Sequence, residues 1–173
     1  MAGPTATVLL SGQLTPIQAG ILGDVIHAVS DVVCGDDFWV TSTDAIGASK
    51  SFPGRPFICS VACDTHPISF GYSTGDQDEI EALLGIRPRC AITLAAMCNQ
   101  PIDHEILARL ARHIGAELNG IIDLNGEISL DAADHDGLCC ISRECEYVTA
   151  SHHYCTPEFL ARYIEHEHFR MVK

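Results

Sequence analysis

Thiol and imidazole side chains are the residues of this chain with the widest capacity for chemistry. The 173 residues include nine cysteines and nine histidines. Cys59, Cys63 and His66 form one group, and a second group lies between positions 139 and 155. Cysteine and histidine ligate zinc, and a thiol beside a histidine base can act as a nucleophile. One hypothesis is therefore a zinc- or thiol-dependent enzyme that uses the second group, which comprises Cys139, Cys140, Cys145, His152, His153 and Cys155.

The spacing of the first group disfavours a metal site. It lacks the C-x-x-C pair typical of a zinc knuckle. Cys59 and Cys63 lie four residues apart on a predicted strand, which places them on one face but about 13 Å apart along the strand. Two ligands of one ion cannot be that distant unless the strand ends between them. Small buried hydrophobic side chains are the alternative interpretation of these cysteines.

The second group is more open to interpretation. Residues 151–155 precede a predicted helix and read as a loop that could bring His153 or Cys155 near Cys140. Nothing in the spacing fixes that geometry. We therefore assign no catalytic residue, no metal ligand and no cofactor from the sequence.

Other motifs of known chemistry are incomplete. Residues 47–51 (GASKS) end like a phosphate-binding loop but lack its two-glycine spacing, and G-x-G-x-x-G does not occur. Residues 103–105 (DHE) lack the second histidine of a zincin helix. Residues 134–137 (DHDG) resemble part of a calcium loop, but that register places Ala132 and Arg143 at two ligand positions. Nucleotide, zincin and calcium sites are thus disfavoured.

The charge balance indicates what kind of partner the protein can bind. With 23 acidic and 10 basic residues, the formal net charge is −13. This charge disfavours binding to nucleic acid or an anionic membrane and favours a basic protein partner, although solubility alone also explains an acidic composition. The candidate partner-binding residues form two patches, Asp76, Asp78, Glu79 and Glu81 at the start of a predicted helix, and Asp131, Asp134 and Asp136 in a predicted loop. For the first patch, the alternative is a solvated helix start whose acidic side chains complement the helix dipole.

The sequence also suggests a compartment. The opening residues MAGPTATVLL lack the charged region of a signal peptide, and no apolar run approaches the roughly 18 residues of a membrane helix. The odd number of cysteines does not resemble a secreted disulfide framework. We expect a soluble, cytoplasmic protein with reduced thiols.

The first half of the chain predicts a strand, a helix and two further strands. Thr15 is the expected N-cap of the helix and Pro16 its first residue. Its apolar stripe is expected in the core and comprises Ile17, Ile21, Val25, Ile26, Val29 and Val33. The predicted strands are Thr5–Leu10, Phe38–Thr41 and Phe57–Cys63, with Ile68–Tyr72 as a hairpin partner; a short helix over Thr74–Leu84 ends at Gly85.

The second half repeats this order of elements. A strand at Arg89–Met97 precedes an amphipathic helix at Asp103–Leu118, which Asn119 and Gly120 end. A strand at Ile121–Leu124 follows, and Asn125-Gly126 predicts a two-residue hairpin with the segment EISL. Thr156 caps a C-terminal helix that is expected to dock on the sheet edge.

These elements predict an α+β fold for residues 1–173 as a single domain. We expect a mainly antiparallel sheet with the two long helices on one face and the C-terminal helix in addition. Two βαββ halves, 5–63 and 89–130, would produce such a sheet.

Parts of the sequence resemble a known family. The stretch AAMCNQPIDHEILARLARHIGAELNGIIDLNG, the ending TPEFLARYIEHEHFRMVK and the opening MAGPTATVLL are similar to uncharacterised bacterial proteins, a domain of unknown function associated with immunity proteins of polymorphic toxin systems. The resemblance lies in scaffold residues and supplies no site residue. It implies a non-enzymatic cytoplasmic antidote that binds a cognate toxin with a basic surface and neutralises it by occlusion.

Overall fold

The computed structural model describes residues 3–48, 54–65, 70–128, 136–145, 148–167 and 169–172, with the backbone alone for 143–145 and 148–150. The strands are β1 Thr5–Leu10, β2 Val32–Cys34, β3 Asp37–Val40, β4 Arg55–Cys63, β5 Cys90–Ala96, β6 Ile121–Asp123, β7 Leu138–Cys145 and β8 Val148–Cys155. The helices are α1 Pro16–Val29, α2 Thr74–Leu84, α3 Pro101–Leu118 and α4 Pro157–Ile164.

All eight strands join one antiparallel sheet in the order β2-β3-β4-β5-β1-β6-β8-β7. The first strands of the two halves, β1 and β5, pair at its centre, with Thr7 opposite Thr93. The remaining strands of the first half lead from β5 to the edge strand β2, and those of the second half lead from β1 to the opposite edge strand β7. The predicted α+β class with a mainly antiparallel sheet is confirmed.

The two long helices cover one face of this sheet. Alternate residues of β1 point into the layer between sheet and helices, so that Ala6, Val8 and Leu10 are buried there. Helix α3 lies over β1, β5 and β6 and contacts α1 beside it. The main core is therefore the space between α1, α3 and the sheet, as predicted.

Helix α4 extends the helical layer instead of docking on a sheet edge. It packs chiefly against α3. Gly115 allows the close approach, since a Cβ there would lie 3.3 Å from a side-chain atom of Pro157. The apolar residues of α4 belong to the main core for this reason. Among the described residues, no helix combines the length and apolar character that spanning a membrane requires.

Local sequence explains where the long helices begin. Thr15 and Gln18 form a capping box at α1. At α3, Asp103 accepts the backbone N–H of Gln100 and a bidentate pair of hydrogen bonds from Arg55, at 2.7 and 2.6 Å. This buried ion pair joins the start of α3 to β4. Helix α3 thus starts two residues before the predicted Asp103, at a proline suited to the first turn.

The second face of the sheet carries a smaller core. Leu9, Ala91, Ile141 and Tyr154 pack there against Phe70 and Ile80, and Ile80 belongs to α2. The helix has the predicted bounds, and its end is set by Gly85, which adopts φ 71° as left-handed C-caps require. Helix α2 therefore lies on the face opposite the long helices.

Several local predictions are wrong. Ile17 is 78% exposed because it lies in the first turn of α1, and Val33 belongs to β2 instead of the helix. Residues 70–72 form no strand; residues 68 and 69 lie outside the described part of the chain. After Asn125-Gly126, residues 127 and 128 do not return as a strand, and residues 129 and 130 of the predicted partner lie outside the described part of the chain; β6 pairs with β1 and β8. The hairpin is instead formed by β7 and β8, which the sequence did not predict.

Candidate partner-binding surface

The first predicted acidic patch is largely occupied by contacts within the fold. Asp76 accepts hydrogen bonds from the backbone and hydroxyl of Ser73 in the capping box of α2, at 2.8 and 2.9 Å. Asp78 and Glu81 both pair with Arg87, which follows the helix. The fourth predicted residue, Glu79, is exposed and takes part in neither the helix cap nor the ion pairs of Arg87. The charge of this patch is thus partly neutralised.

The second predicted patch is described in part. Asp131 and Asp134 lie outside the described residues, whereas Asp136 is exposed just before β7. The guanidinium of Arg162 on α4 donates to the backbone carbonyl of Asp136, at 2.5 Å. A positive group therefore lies close to this patch as well. Of the described residues in the two predicted patches, Asp78 and Glu81 have a cation within ion-pair distance.

A third acidic region was missed by the sequence analysis. It surrounds the edge strand β2, and we call it the α1–β2 surface, defined as Asp24 of α1, residues 31–37, Trp39 and Val61. Asp24, Asp31, Asp36 and Asp37 are all exposed. Within the described chain, no Lys or Arg nitrogen lies within 4.0 Å of these four carboxylates.

The negative potential of the α1–β2 surface follows from the order of the chain. The first basic residue of the sequence is Lys50, whereas five aspartates precede it, namely Asp24, Asp31, Asp36, Asp37 and Asp44. All elements from β1 to β3 are therefore built without Lys or Arg. Because β2, β3 and α1 are neighbours at one end of the sheet, the uncompensated charge collects there. This absence of basic residues was the available sequence signal.

The same surface exposes apolar side chains. Val32 and its cross-strand partner Trp39 are 51% and 37% exposed on one face of the edge. Val33 and Val61 are 43% and 44% exposed on the other face. These four are the majority of the seven large hydrophobic side chains that are exposed in the described residues. Apolar side chains ringed by charge are characteristic of protein interaction sites.

A groove runs between α1 and the sheet at this surface. Its volume is about 270 Å³, and its walls include Leu22 and Ile26 of α1, Phe38 of β3, and Val33. Asp36 lies at the groove, so a carboxylate adjoins the apolar walls. The groove can accept an apolar side chain whose neighbours carry positive charge.

The predicted cysteines and histidines that the structure describes lie on β4 and on the paired strands β7 and β8. Cys59 and Cys63 share the helix-facing side of β4, and His66 lies outside the described residues. Burial raises the pKa of Cys59 to about 12, which keeps its thiol protonated and a poor metal ligand at neutral pH. No three His, Cys, Asp or Glu side chains in the described part of the chain are grouped as a metal site would need.

The predicted loop at residues 151–155 is strand β8. Its register places His153 directly opposite Cys140, so the two residues are neighbours as the sequence hypothesis required. However, His153 is buried and its Nδ1 accepts the backbone N–H of Ile128, at 3.1 Å. Cys155 is buried, and burial raises the pKa of its thiol. Neither group is arranged as an activated nucleophile and its base.

A buried polar cluster lies on the face of β6 that points away from the long helices. The carboxylate of Asp123 accepts from the hydroxyl of Tyr72 at 2.8 Å and from the backbone N–H of Asn125 at 2.7 Å, and His152 Nδ1 lies 3.3 Å away. The Asn125 amide continues the cluster to Thr7 of β1. Asp123 is 1% exposed. Its contacts attach the segment before α2 to the sheet, which is a structural role.

Comparison with known proteins places this architecture in a family. A family model described as "Family of unknown function (DUF6368)" matches residues 2–173. The chain belongs to this family. No curated protein and no solved structure matches it. The family description contains no link to immunity proteins or toxins, so of the sequence resemblance only membership in a family of unknown function is shown.

The geometry of the α1–β2 surface therefore makes it the candidate functional site of this DUF6368 family member. It combines exposed apolar groups, a groove and four carboxylates that no Lys or Arg of the described residues approaches within 4.0 Å. Asp76 of the first predicted patch, by contrast, forms part of the cap of α2 and so has a structural role.

Proposed function

We propose that this protein functions by binding a basic protein partner through the α1–β2 surface. The observation that carries the proposal is the coincidence of four exposed, uncompensated aspartates with four exposed apolar side chains around one sheet edge. The partner presents an apolar side chain to the groove and Lys or Arg to Asp31, Asp36 and Asp37. Binding, without catalysis, is the activity.

The two components of the surface have different roles in binding. Burial of the apolar groups supplies affinity, because removing apolar area from water contributes about 25 cal/mol per Å². The carboxylates accelerate encounter with a positive partner and reject negative ones. Since exposed charges are screened over about 10 Å at 0.1 M salt, the association rate must fall with ionic strength.

A toxin domain with a basic surface is the partner to test first. The resemblance of the sequence to immunity-associated proteins motivates this choice, and the acidic α1–β2 surface has the complementary charge. An antidote of this kind occludes the toxin and needs a rigid scaffold, which the eight-stranded sheet supports. In this proposal, the protein is a non-enzymatic neutraliser.

The single tryptophan gives a direct assay of the proposed surface. Trp39 is the only tryptophan in the chain and is part-exposed beside Val32. The product of the gene immediately upstream, prepared as a purified protein or tryptophan-free fragment, is titrated in while Trp39 fluorescence is recorded. The same product is expressed in cells with and without this protein to score rescue of growth. The proposal expects a fluorescence shift, a salt-sensitive 1:1 complex and rescue.

Two triple variants of equal charge locate the contact. Asp31→Asn/Asp36→Asn/Asp37→Asn alters the α1–β2 surface, and Glu79→Gln/Glu117→Gln/Asp136→Asn alters exposed carboxylates elsewhere; each changes the formal net charge from −13 to −10. The first variant should slow association roughly tenfold or more at low salt, and the second should have little effect. A larger effect of the second variant than of the first would reject the α1–β2 surface as the binding site. If a complex forms without rescue of growth, binding is supported and toxin neutralisation is rejected. If no complex forms, the product of the upstream gene is rejected as the partner.

A further inference from the structure

Two free thiols lie opposite each other on the neighbouring strands β4 and β5. Cys63, the last residue of β4, lies directly opposite Cys90, the first residue of β5. Their Sγ atoms are 3.3 Å apart. At this distance the Cys63 thiol donates a hydrogen bond to the Cys90 sulfur, and the pair lies outside the α1–β2 surface.

The backbone already has the geometry of a cross-strand disulfide. Residues directly opposite each other in an antiparallel pair have Cα atoms about 4.5 to 5.5 Å apart, within the range that disulfides span. The next residues reinforce this register, because Asp64 N–H donates to the Arg89 carbonyl at 2.9 Å and the two side chains form an ion pair. Bond formation requires the sulfurs to approach to about 2.05 Å by side-chain rotation, with little backbone movement.

We propose that Cys63 and Cys90 are a redox modification site, which a low-molecular-weight disulfide such as oxidised glutathione converts from two thiols to one disulfide. Cys63 loses a proton and attacks the glutathione disulfide, which forms a mixed disulfide and releases one glutathione thiol. Cys90 then loses its proton and attacks the Cys63 sulfur, which forms the Cys63–Cys90 bond and releases the second. The two protein thiols are oxidised by two electrons, and one glutathione disulfide is reduced to two thiols.

The environment assigns the order of the two steps. Cys63 is half-buried and Cys90 is fully buried, so the external disulfide reaches Cys63 first. Burial, together with the hydrogen bond from Cys63, raises the pKa of Cys90 to about 12, which makes the second step the slow one. The product closes a covalent ring from β4 to β5 that contains α2. Because the ring restricts the unfolded chain, oxidation should stabilise the protein.

Mass spectrometry of the whole protein tests the proposal. The purified chain is equilibrated with oxidised glutathione, quenched in acid, and alkylated under denaturing conditions. The reduced protein should take up nine alkyl groups and the oxidised protein seven, which is the nine cysteines minus the linked pair. Trypsin should then release a cross-linked peptide that joins the segment ending at Arg89 to the segment beginning at Cys90. The melting temperature should rise by several degrees on oxidation and return on reduction.

Single variants identify the pair. Cys63→Ser and Cys90→Ser should each abolish the cross-link and the shift in melting temperature, whereas Cys59→Ser, on the same face of β4, should retain both. Fragmentation of the wild-type cross-linked peptide distinguishes Cys63 from Cys59 and Cys90 from Cys98, and it decides the question even if a variant fails to fold. Uptake of nine alkyl groups after oxidation, stable glutathione adducts at Cys63, or a cross-link between other cysteines would each overturn the proposal.

Discussion

The carboxylates around α2, α3 and β6 differ from those around β2 in what the fold requires of them. Asp103 and Asp123 are buried and hydrogen-bonded, and Asp76 caps a helix. Asp36 and Asp37 are exposed, with no cation of the described chain within ion-pair distance. The first group holds elements together. The second contributes nothing comparable to the fold and remains available to a partner.

The comparison teaches that a count of acidic residues does not locate a binding surface. Asp78 and Glu81 were predicted to contact a partner, yet both are held by Arg87, which returns to them after the turn at Gly85. Charge that is already paired attracts a partner weakly. The informative quantity is the number of exposed carboxylates without nearby cations, and among the described residues four such aspartates lie beside β2.

The largest expected effect is at the buried ion pair. Arg55→Ala leaves the Asp103 carboxylate, which is 1% exposed, without its bidentate partner in the core. Breaking a buried pair by removing one member costs about 3–5 kcal/mol. Chemical denaturation should show this loss in the free energy of unfolding. Arg87→Ala is the matched control, because its partners are solvent-exposed and such pairs contribute little to stability. Equal effects of the two variants would refute the distinction drawn here.

A smaller loss is expected at the polar cluster of β6. Asp123→Asn keeps the size of the side chain but replaces one acceptor oxygen with an NH₂ group, so that Tyr72 and Asn125 can no longer both donate to it and one buried donor loses its acceptor. Leaving a buried polar group without a partner costs roughly 1–3 kcal/mol. Thermal unfolding measures the effect, and Tyr72→Phe separates the hydroxyl contact from the rest. An unchanged Tm for Asp123→Asn would show that the cluster has no structural role.

The pH dependence of a surface pair is a weaker test of the same comparison. Arg89 lowers the pKa of Asp64 below its ordinary 3.8, chiefly by a hydrogen bond to the carboxylate. A lowered folded-state pKa means that this contribution to stability is present above pH 3.8 and is lost as the pH falls through the folded-state pKa. NMR titration of the Asp64 carboxyl should give a pKa below 3.8, and Arg89→Ala should restore the ordinary value. A pKa that is unchanged by Arg89→Ala would assign the shift to other contacts.

Much of the fold was predictable because its signals are local. The cap at Thr15, the stop at Gly85 and the apolar face of α3 gave the helices, and the order of elements gave the antiparallel α+β class. Strands β7 and β8 were missed because their segments LCCISREC and VTASHHYC interrupt the apolar alternation with serine, histidine and charge. The pairing of β6 with β8 depends on contacts between distant segments, which no local pattern encodes.

The candidate site was harder to predict for a related reason. Whether a carboxylate is free depends on which cations the fold brings near it, and Arg87 and Arg162 reach the predicted patches only after the chain has turned back. The exposure of Val32 and Val33 depends likewise on the position of β2 at the sheet edge. The absence of Lys and Arg before position 50 was visible in the sequence, but its concentration at one end required the topology.

The smallest expected effect on stability is at the α1–β2 surface, and it separates function from folding. Asp36→Asn and Asp37→Asn remove exposed charges without close cations, so each should change the free energy of unfolding by less than about 0.5 kcal/mol. Relief of repulsion between neighbouring carboxylates favours a slight gain. Denaturation of both variants at low and high salt measures this, and Arg55→Ala calibrates the scale. A loss above 1 kcal/mol would show that these carboxylates support the fold, whereas unchanged stability with slower partner association would assign them to binding.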